Sequence, residues 1–379
     1  MTDPLRLELA AAATTIVVKV GTRVLTRPDG SLDEGKIASL SENLHRIMQT
    51  GRKVVLVSSG AVASGMGRLN LKERPKDLAK LQAVAAVGQS RLIQAYDRVL
   101  LSLGRTAAQV LLTAGDLDER ASYLNIRNTL LSLLEFGAIP IINENDTVST
   151  AELETTFGDN DQLAAIVTNL IRAPLLIILS DVAGLYDGDP ALPESKVIST
   201  VLKLDESIFS LVRDTKTGLS KGGMAGKLNA ARKTTIAGEN MIIASGKDFD
   251  VLQQIIAGEP VGTLFVAQGQ AITSWKRWIG FTAQPRGVFV LDDGARKAVE
   301  KDGRSLLAIG VADVQGDFAR GDVVALRDKS GSEFARGLTN YSAAEVMRIK
   351  GLKTEAIFTA LGHAPYQEVI HRDNMAVTV

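Results

Sequence analysis

The chain has 379 residues, of which 45% are hydrophobic and 23% charged, and its formal net charge is zero. That length exceeds the usual span of one core and predicts two domains, while the neutral balance offers no global field to nucleic acid or anionic lipid. The absence of cysteine excludes disulfides, thiol nucleophiles and cysteine-ligated metals and fits a reducing compartment; the three scattered histidines, His45, His363 and His371, argue against a histidine metal cluster.

Residues 1–14 carry an alanine run together with Asp3 and Glu8, without the basic start and unbroken apolar stretch of a signal peptide, and read as a frayed leader. No apolar run reaches membrane-spanning length, so the expectation is a soluble, cytoplasmic protein with no membrane partner. From there to residue 268 short apolar runs alternate with helical patterns. Ile16–Val20, Val54–Val57, Gln109–Leu112, Ile139–Ile142, Leu175–Leu179, Met241–Ala244 and Thr263–Val266 read as strands. Asp33 is placed to cap a helix carrying Ile37, Leu40, Leu44 and Ile47, with Gly51 as its stop. Leu81–Leu103, Tyr123–Glu135, a stretch after Lys227, and Val251–Ile256 read as further helices. Strands apolar on both faces and separated by helices predict an α/β/α sandwich on a mainly parallel sheet. Ligands of such sheets gather at the carboxyl ends of the strands.

Residues 269–284 read as a linker containing Trp275-Lys276-Arg277-Trp278. Short strands with turn signals at Asp292-Asp293-Gly294, Gln315-Gly316-Asp317, Arg320-Gly321-Asp322 and Lys329-Ser330-Gly331 then predict a small β-rich barrel over 285–363, followed by a tail, 364–379.

Six groups of residues sit where that sheet would collect a ligand, and each also has a plainer reading. Lys19 ends the first strand before Gly21-Thr22; it reaches either solvent or an anion, because burial without a partner is costly. This is not a P-loop pattern. Ser58-Ser59-Gly60-Ala61, with Gly65 and Gly67 beyond, is either a glycine-rich turn or a backbone cradle for a carboxylate or phosphate. Asn143-Glu144-Asn145-Asp146 is a loop or a polar substrate site in which Asp146 meets an ammonium group. Asp159, Asn160 and Asp161 precede a helix starting near Leu163; capping explains one aspartate, and the surplus points to a ligand, a lysine or Mg²⁺. Ser180-Asp181 is a turn or a nucleotide contact. Gly222, Gly223, Met224, Ala225 and Gly226 lead to Lys227 at a helix start, where a cation opposes the helix dipole unless an anion is near.

Taken in order, VVKVGT, VLVSSGAVASG, LQAVAAVGQSRLIQAY, QVLLT, YLNIRNTL, IPIINENDTV, FGDNDQLAA, LSDVAGLYDGDP, GGMAGKL, VGTLF and KRWI, with the ending GHAPYQEVIHRDN, resemble the amino acid kinase family carrying a C-terminal PUA-type domain. The resemblance spans nearly the whole chain after residue 14. It implies ATP-dependent phosphorylation of the side-chain carboxylate of L-glutamate, the first step of proline synthesis, with ATP as co-substrate and Mg²⁺ as cofactor. By it, Lys19 and Lys227 contact the ATP phosphates, and Asp161, with Asp159 beside it, holds the lysines in place. Ser59, Gly60, Asn145, Asp146 and Asn160 bind glutamate, while Ser180, Asp181 and the segment from Lys221 to Lys227 bind ATP. The chain departs from the family at Lys221, usually Gly, Thr or Ser, and at Gly226, usually Thr. The resemblance also implies feedback inhibition by proline, a homo-oligomer (dimer or tetramer) and handover of the acyl phosphate to glutamate-5-semialdehyde dehydrogenase. Rival acceptors are aspartate, N-acetylglutamate, carbamate and UMP. RNA binding by the PUA-type domain is disfavoured by its near-equal basic and acidic content and its dispersed aromatics.

Overall fold

The computed structural model describes residues 3–148, 160–212, 223–268 and 273–378. The chain forms two compact units, residues 1–117 with 121–270, and residues 118–120 with 271–379. Among the described residues no helix is long and apolar enough to cross a membrane.

The first unit is built on β1 (Thr15–Val20), β2 (Lys53–Ser58), β3 (Ala107–Leu112), β4 (Ile139–Glu144), β5 (Leu175–Ser180), β6 (Thr200–Val201), β7 (Asn240–Ser245) and β8 (Thr263–Phe265). Their order is β3-β4-β2-β1-β5-β7-β8-β6, and every neighbouring pair is parallel except β7 with β8. The two-residue strand period sorts side chains onto two faces. Ile16, Val18 and Val20 of β1 share one core with Leu40 and Leu44 of the helix Glu34–Gln49 and Leu92 and Tyr96 of the helix Leu78–Ser102. Val17 and Lys19 point the other way, to the side where the helix Asn160–Ile171 packs on β1 and β5. This parity places Lys19 beside that helix.

The predicted helix after Asp33 is present: the aspartate accepts from the Lys36 amide, Ile37, Leu40, Leu44 and Ile47 are buried, and Gly51 follows at φ 86°. The helix expected from Leu81 begins at Leu78, because Asp77 caps it through the Lys80 amide at 3.0 Å.

The frayed leader is corrected by the structure. Pro4–Ala12 is a helix started by Asp3, whose carboxylate accepts from the Leu5 amide, with proline at a first-turn position. Arg6 is buried, donating to the carbonyls of Val261 (2.7 Å), Ser199 (2.6 Å) and Gly262 (3.2 Å). It thus adds donors to acceptors beside β6 and β8, of which the Ser199 carbonyl also accepts from the Leu264 amide at 2.8 Å. Arg6→Met, which keeps the aliphatic stem but takes the guanidinium away from the Val261 and Gly262 carbonyls, is expected to lower stability by about 1–3 kcal/mol, the Ser199 carbonyl keeping the Leu264 amide. Urea unfolding checks this, and an unchanged midpoint would count against it.

The second unit carries β9 (Gly287–Leu291), β10 (Val311–Gly316), β11 (Val323–Arg327), β12 (Glu333–Leu338) and β13 (Met375–Val377) in the order β10-β9-β11-β12-β13. Asp292 begins a helix, Asp293–Glu300, by accepting from the Ala295 amide, where the sequence suggested a simple turn. The described parts of the linker and tail read from the sequence, residues 273–284 and 364–378, are built into this unit. Trp278, Ile279 and Phe281 are buried in a π-helical turn that packs on β12 and β13. Beyond residue 363, Val369 and Ile370 lie in the core and Met375–Val377 pairs with β12. Apolar side chains in both stretches explain why neither stays loose.

Candidate active site

The carboxyl ends of β1, β2, β4 and β5 bring the site together. Lys19, one residue from the end of β1, lies in register with Val57 of β2 and Ile178 of β5. Its ammonium group meets Asp161 Oδ1 at 2.5 Å, and Lys227 Nζ meets Asp161 Oδ2 at 2.9 Å. Asp161 is fully buried, and the lysines are 5% and 7% exposed. Two cations thus share one anion. Burial alone would raise the Asp161 pKa, but the Lys19 and Lys227 ammonium groups outweigh it and hold the carboxyl below its ordinary value.

Asp161 is the second residue of the helix Asn160–Ile171 rather than its cap, so its charge faces the positive end of the helix dipole. Lys227 stands in the first turn of the helix Met224–Ile236. The anion that its awkward position called for is Asp161. The two helices pack together, and their register is fixed by Gln162 Nε2 donating to the Gly226 carbonyl (2.9 Å) and Asn169 Nδ2 to the Lys233 carbonyl (3.2 Å). Gly21 lies next to the cluster, where a Cβ would stand in ordinary van der Waals contact with Lys19 Nζ at 3.7 Å.

Beside this cluster Asn160 ties two strand ends together. Its Nδ2 lies 2.8 Å from the Ser58 carbonyl, 2.8 Å from Ser59 Oγ and 3.0 Å from Asn143 Oδ1. Asn143 Nδ2 donates in turn to Gln89 Oε1 at 2.9 Å. The Ser58 hydroxyl and the buried Tyr96 hydroxyl share a hydrogen bond of 3.0 Å, and burial pushes the Tyr96 pKa up. Gly60 follows at φ 106°, a left-handed conformation suited to glycine, and begins the helix Ala61–Arg68.

Gly65 serves packing. A Cβ there would lie 1.9 Å from the Val84 carbonyl oxygen, and one on Gly88 would lie 1.8 Å from that of Ala61. The helices Ala61–Arg68 and Leu78–Ser102 therefore cross in close contact, which fixes the Ser59-Gly60 turn and Gln89 relative to each other. Gly88→Ala would force them apart and cost about 1–3 kcal/mol of stability. Thermal unfolding tests this; a melting temperature equal to the wild type would show that the crossing yields freely.

On the other side of β1, Ser180 ends β5 and Asp181 follows. The Ser180 hydroxyl donates to Asp181 Oδ1 at 3.1 Å, and Arg23 Nη1 to Asp181 Oδ2 at 2.9 Å. Partial burial raises the Asp181 pKa, but the Arg23 and Ser180 donors outweigh it and the net shift is downward. Gly223 caps the helix Met224–Ile236 without a side-chain bond, and Met224, Ala225 and Gly226 form its first turn. Asn145 is engaged in its own turn, its amide donating to the Leu112 carbonyl and its Oδ1 accepting from Thr147, with half-buried Asp146 next to it. Asp159, Lys221 and Gly222 lie outside the described residues.

Arg23, Gln89 and Gln162 were not singled out from the sequence, and Asn143 appeared only within its polar quartet. Asn143 had a signal: it shares the strand face of Ile139 and Ile141, which is otherwise apolar. A glutamine or arginine in a helical pattern looks like surface, so the other three gave none.

A sequence profile of the Amino acid kinase family matches residues 14–245, and one of the PUA domain matches residues 287–359. The chain is 50% identical over 364 residues to a protein of Rhodopirellula baltica named Glutamate 5-kinase, covering 96% of this chain and 94% of that one. It is 46% identical over 363 residues to the Glutamate 5-kinase of a Thermoanaerobacter species, covering 96% and 97%. With the Glutamate 5-kinase of Syntrophotalea carbinolica it shares 44% over 374 residues, 98% of this chain and all of that one. With the parallel sheet and the clustered lysines already in view, these likenesses establish that the chain belongs to the amino acid kinase family and carries a PUA domain.

Proposed function

We propose that the chain transfers the γ-phosphoryl group of ATP to the side-chain carboxylate of L-glutamate, giving L-glutamyl 5-phosphate as the first step of proline biosynthesis. The observation that carries this reading is the pair of ammonium groups held by one buried aspartate at the carboxyl edge of the sheet. End-to-end identity with relatives named Glutamate 5-kinase supports the choice of acceptor.

The chemistry suits the residues. A glutamate side chain, with a pKa of about 4.3, is already ionised at neutral pH and needs no general base. The barrier is the approach of an anion to a polyanion, so catalysis reduces to alignment and charge neutralisation. Lys19 and Lys227 supply the positive charge, and Asp161 fixes both ammonium groups. Ser59, Gly60 and Asn160 form the wall nearest the glutamate, with Asn145 and Asp146 in the neighbouring turn and Asp159 preceding Asn160. Ser180, Asp181 and the segment from Lys221 to Lys227 receive ATP, the free amides of the helix start at Met224 facing its phosphates.

Mg²⁺ bound with the nucleotide would supply further neutralisation of the phosphate charge. It characteristically leans on substrate phosphates and one or two carboxylates, and among the described residues no group of three acidic or histidine side chains forms a cage for it. Both oxygens of Asp161 face lysines and those of Asp181 face Arg23 and Ser180, which suits a metal bound mainly through phosphate.

Release of ADP measured with glutamate, aspartate, N-acetylglutamate, carbamate and UMP in parallel tests the acceptor. Glutamate is expected to give the highest kcat/KM, and a better rate with another acceptor would defeat the assignment. Proline added to the same assay is expected to inhibit, and undiminished turnover would remove it as an effector. The protein acts as a homodimer or homotetramer in the cytoplasm, for which a monomer in sedimentation would be the contrary result. The acyl phosphate hydrolyses or cyclises readily, so direct handover to glutamate-5-semialdehyde dehydrogenase protects it. Equal capture by a trapping agent with and without that enzyme would count against handover.

A further inference from the structure

The second unit has a groove of about 320 Å³ that the chemistry above leaves unused. Strand register builds it: Gln315 of β10 pairs with Val288 of β9, Val288 with Ala325 of β11, and Ala325 with Arg336 of β12. The alternating residues Phe289, Val324, Leu326 and Ala335 belong to the core on the opposite face. Val288 and the small Ala325 form a floor, around which stand Arg286, Arg327, Arg336 and Glu333. Three guanidinium groups against one carboxylate leave this lining net positive.

Two of the arginines have partners. Arg336 donates through Nε to Glu333 at 2.7 Å and through Nη1 to the Ala283 carbonyl at 3.1 Å, and Arg286 pairs with Asp118 at 3.2 Å. Arg327 has no ion pair among the described residues. Its Nε is buried without a hydrogen-bond acceptor, a state that costs free energy until an acceptor arrives. Glu333, its register partner across β12, is taken by Arg336.

We infer that this groove binds a small dianion bearing phosphate or paired carboxylate oxygens, held chiefly by Arg327 and Arg336. The planar guanidinium fork matches both oxyanions in a bidentate fashion. The volume is at the small end of ligand sites, suited to a metabolite. The inference stands apart from the kinase reading, since no residue assigned to catalysis lines the groove.

Equilibrium dialysis of the full chain against radiolabelled phosphate, and separately against radiolabelled succinate, tests it at an ionic strength held constant with chloride. The wild type is expected to bind an equivalent that weakens about tenfold or more in Arg327→Gln and in Arg336→Gln. The same equivalent should tighten in Glu333→Gln, where Arg336 loses its competing carboxylate; a fold defect would not produce that gain. Phosphate held at the kinase site persists in all three variants and does not confuse the comparison. Binding of one probe and not the other identifies the oxyanion. Isotherms for wild type, Arg327→Gln and Glu333→Gln that superimpose for both probes would overturn the inference.

Discussion

Lys227→Ala is expected to cut glutamate-dependent turnover about a hundred- to a thousandfold while changing the KM for glutamate little, and Lys19→Ala should behave alike. Removing one preorganised electrostatic donor typically has an effect of that size. The split between kcat and KM follows from where the charge is needed. In the mechanism proposed, the ammonium groups would act between an attacking carboxylate and a phosphate, an encounter completed only in the transition state, whereas the Ser59 and Asn160 region would hold glutamate. The double variant should lose less than the product of the single losses, because both lysines share Asp161 and act as a unit. Steady-state kinetics across glutamate concentration checks this. Near-normal turnover in either single variant would remove that lysine from the chemistry.

Asp161→Ala carries the second large effect, on stability as well as rate. It removes the carboxylate that two buried ammonium groups share, and breaking a buried ion pair from one side costs about 3–5 kcal/mol. The pH dependence adds a signature. The Asp161 pKa is lowered in the folded chain, so the stabilisation from its ionised form is complete above the unfolded carboxyl pKa of about 3.9 and is lost as pH falls through the folded value. Near neutrality the contribution should be flat. Urea midpoints followed from about pH 7 into the acid range should converge for wild type and Asp161→Ala below about pH 4. A constant gap down to full acid unfolding would show that the aspartate contributes no charge-dependent stability.

Much of the first unit could be read from local pattern. Strands such as Leu175–Ser180 are apolar throughout, and the helix after Asp33 advertises both its cap and its buried stripe. Patterns of this kind depend on residues a few positions apart. The N-terminal helix was missed because its anchor, Arg6, binds carbonyls of residues 199, 261 and 262, which no local window contains. Residues 273–284 and 364–378 were misread for a related reason. Turn-rich or short segments look loose until the surface that covers Trp278 or Val369 is known.

The site divides in the same way. Lys19, Asp161 and Lys227 were visible as oddities, two lysines in apolar or dipole-opposed positions and an aspartate beyond capping needs. The family resemblance implied that Asp161 holds the lysines, and the fold supplies the contacts by which the three oddities resolve one another. Ser59 and Asn160, read as separate motif residues, prove to be hydrogen-bonded at 2.8 Å. Gly65, read as part of either a glycine-rich turn or a ligand cradle, is the crossing point of two helices. Asp181 keeps its place at the strand end but gains a partner in Arg23, a contact that depends on how β1 and β5 lie side by side.

The most direct test of the account is trapping of the product. Wild-type protein with ATP, Mg²⁺, L-glutamate and hydroxylamine should form the side-chain hydroxamate of glutamate in step with ADP, and Lys19→Ala and Lys227→Ala should lose both signals together. ADP release without side-chain hydroxamate, or at the same rate with glutamate omitted, would contradict phosphoryl transfer to that carboxylate.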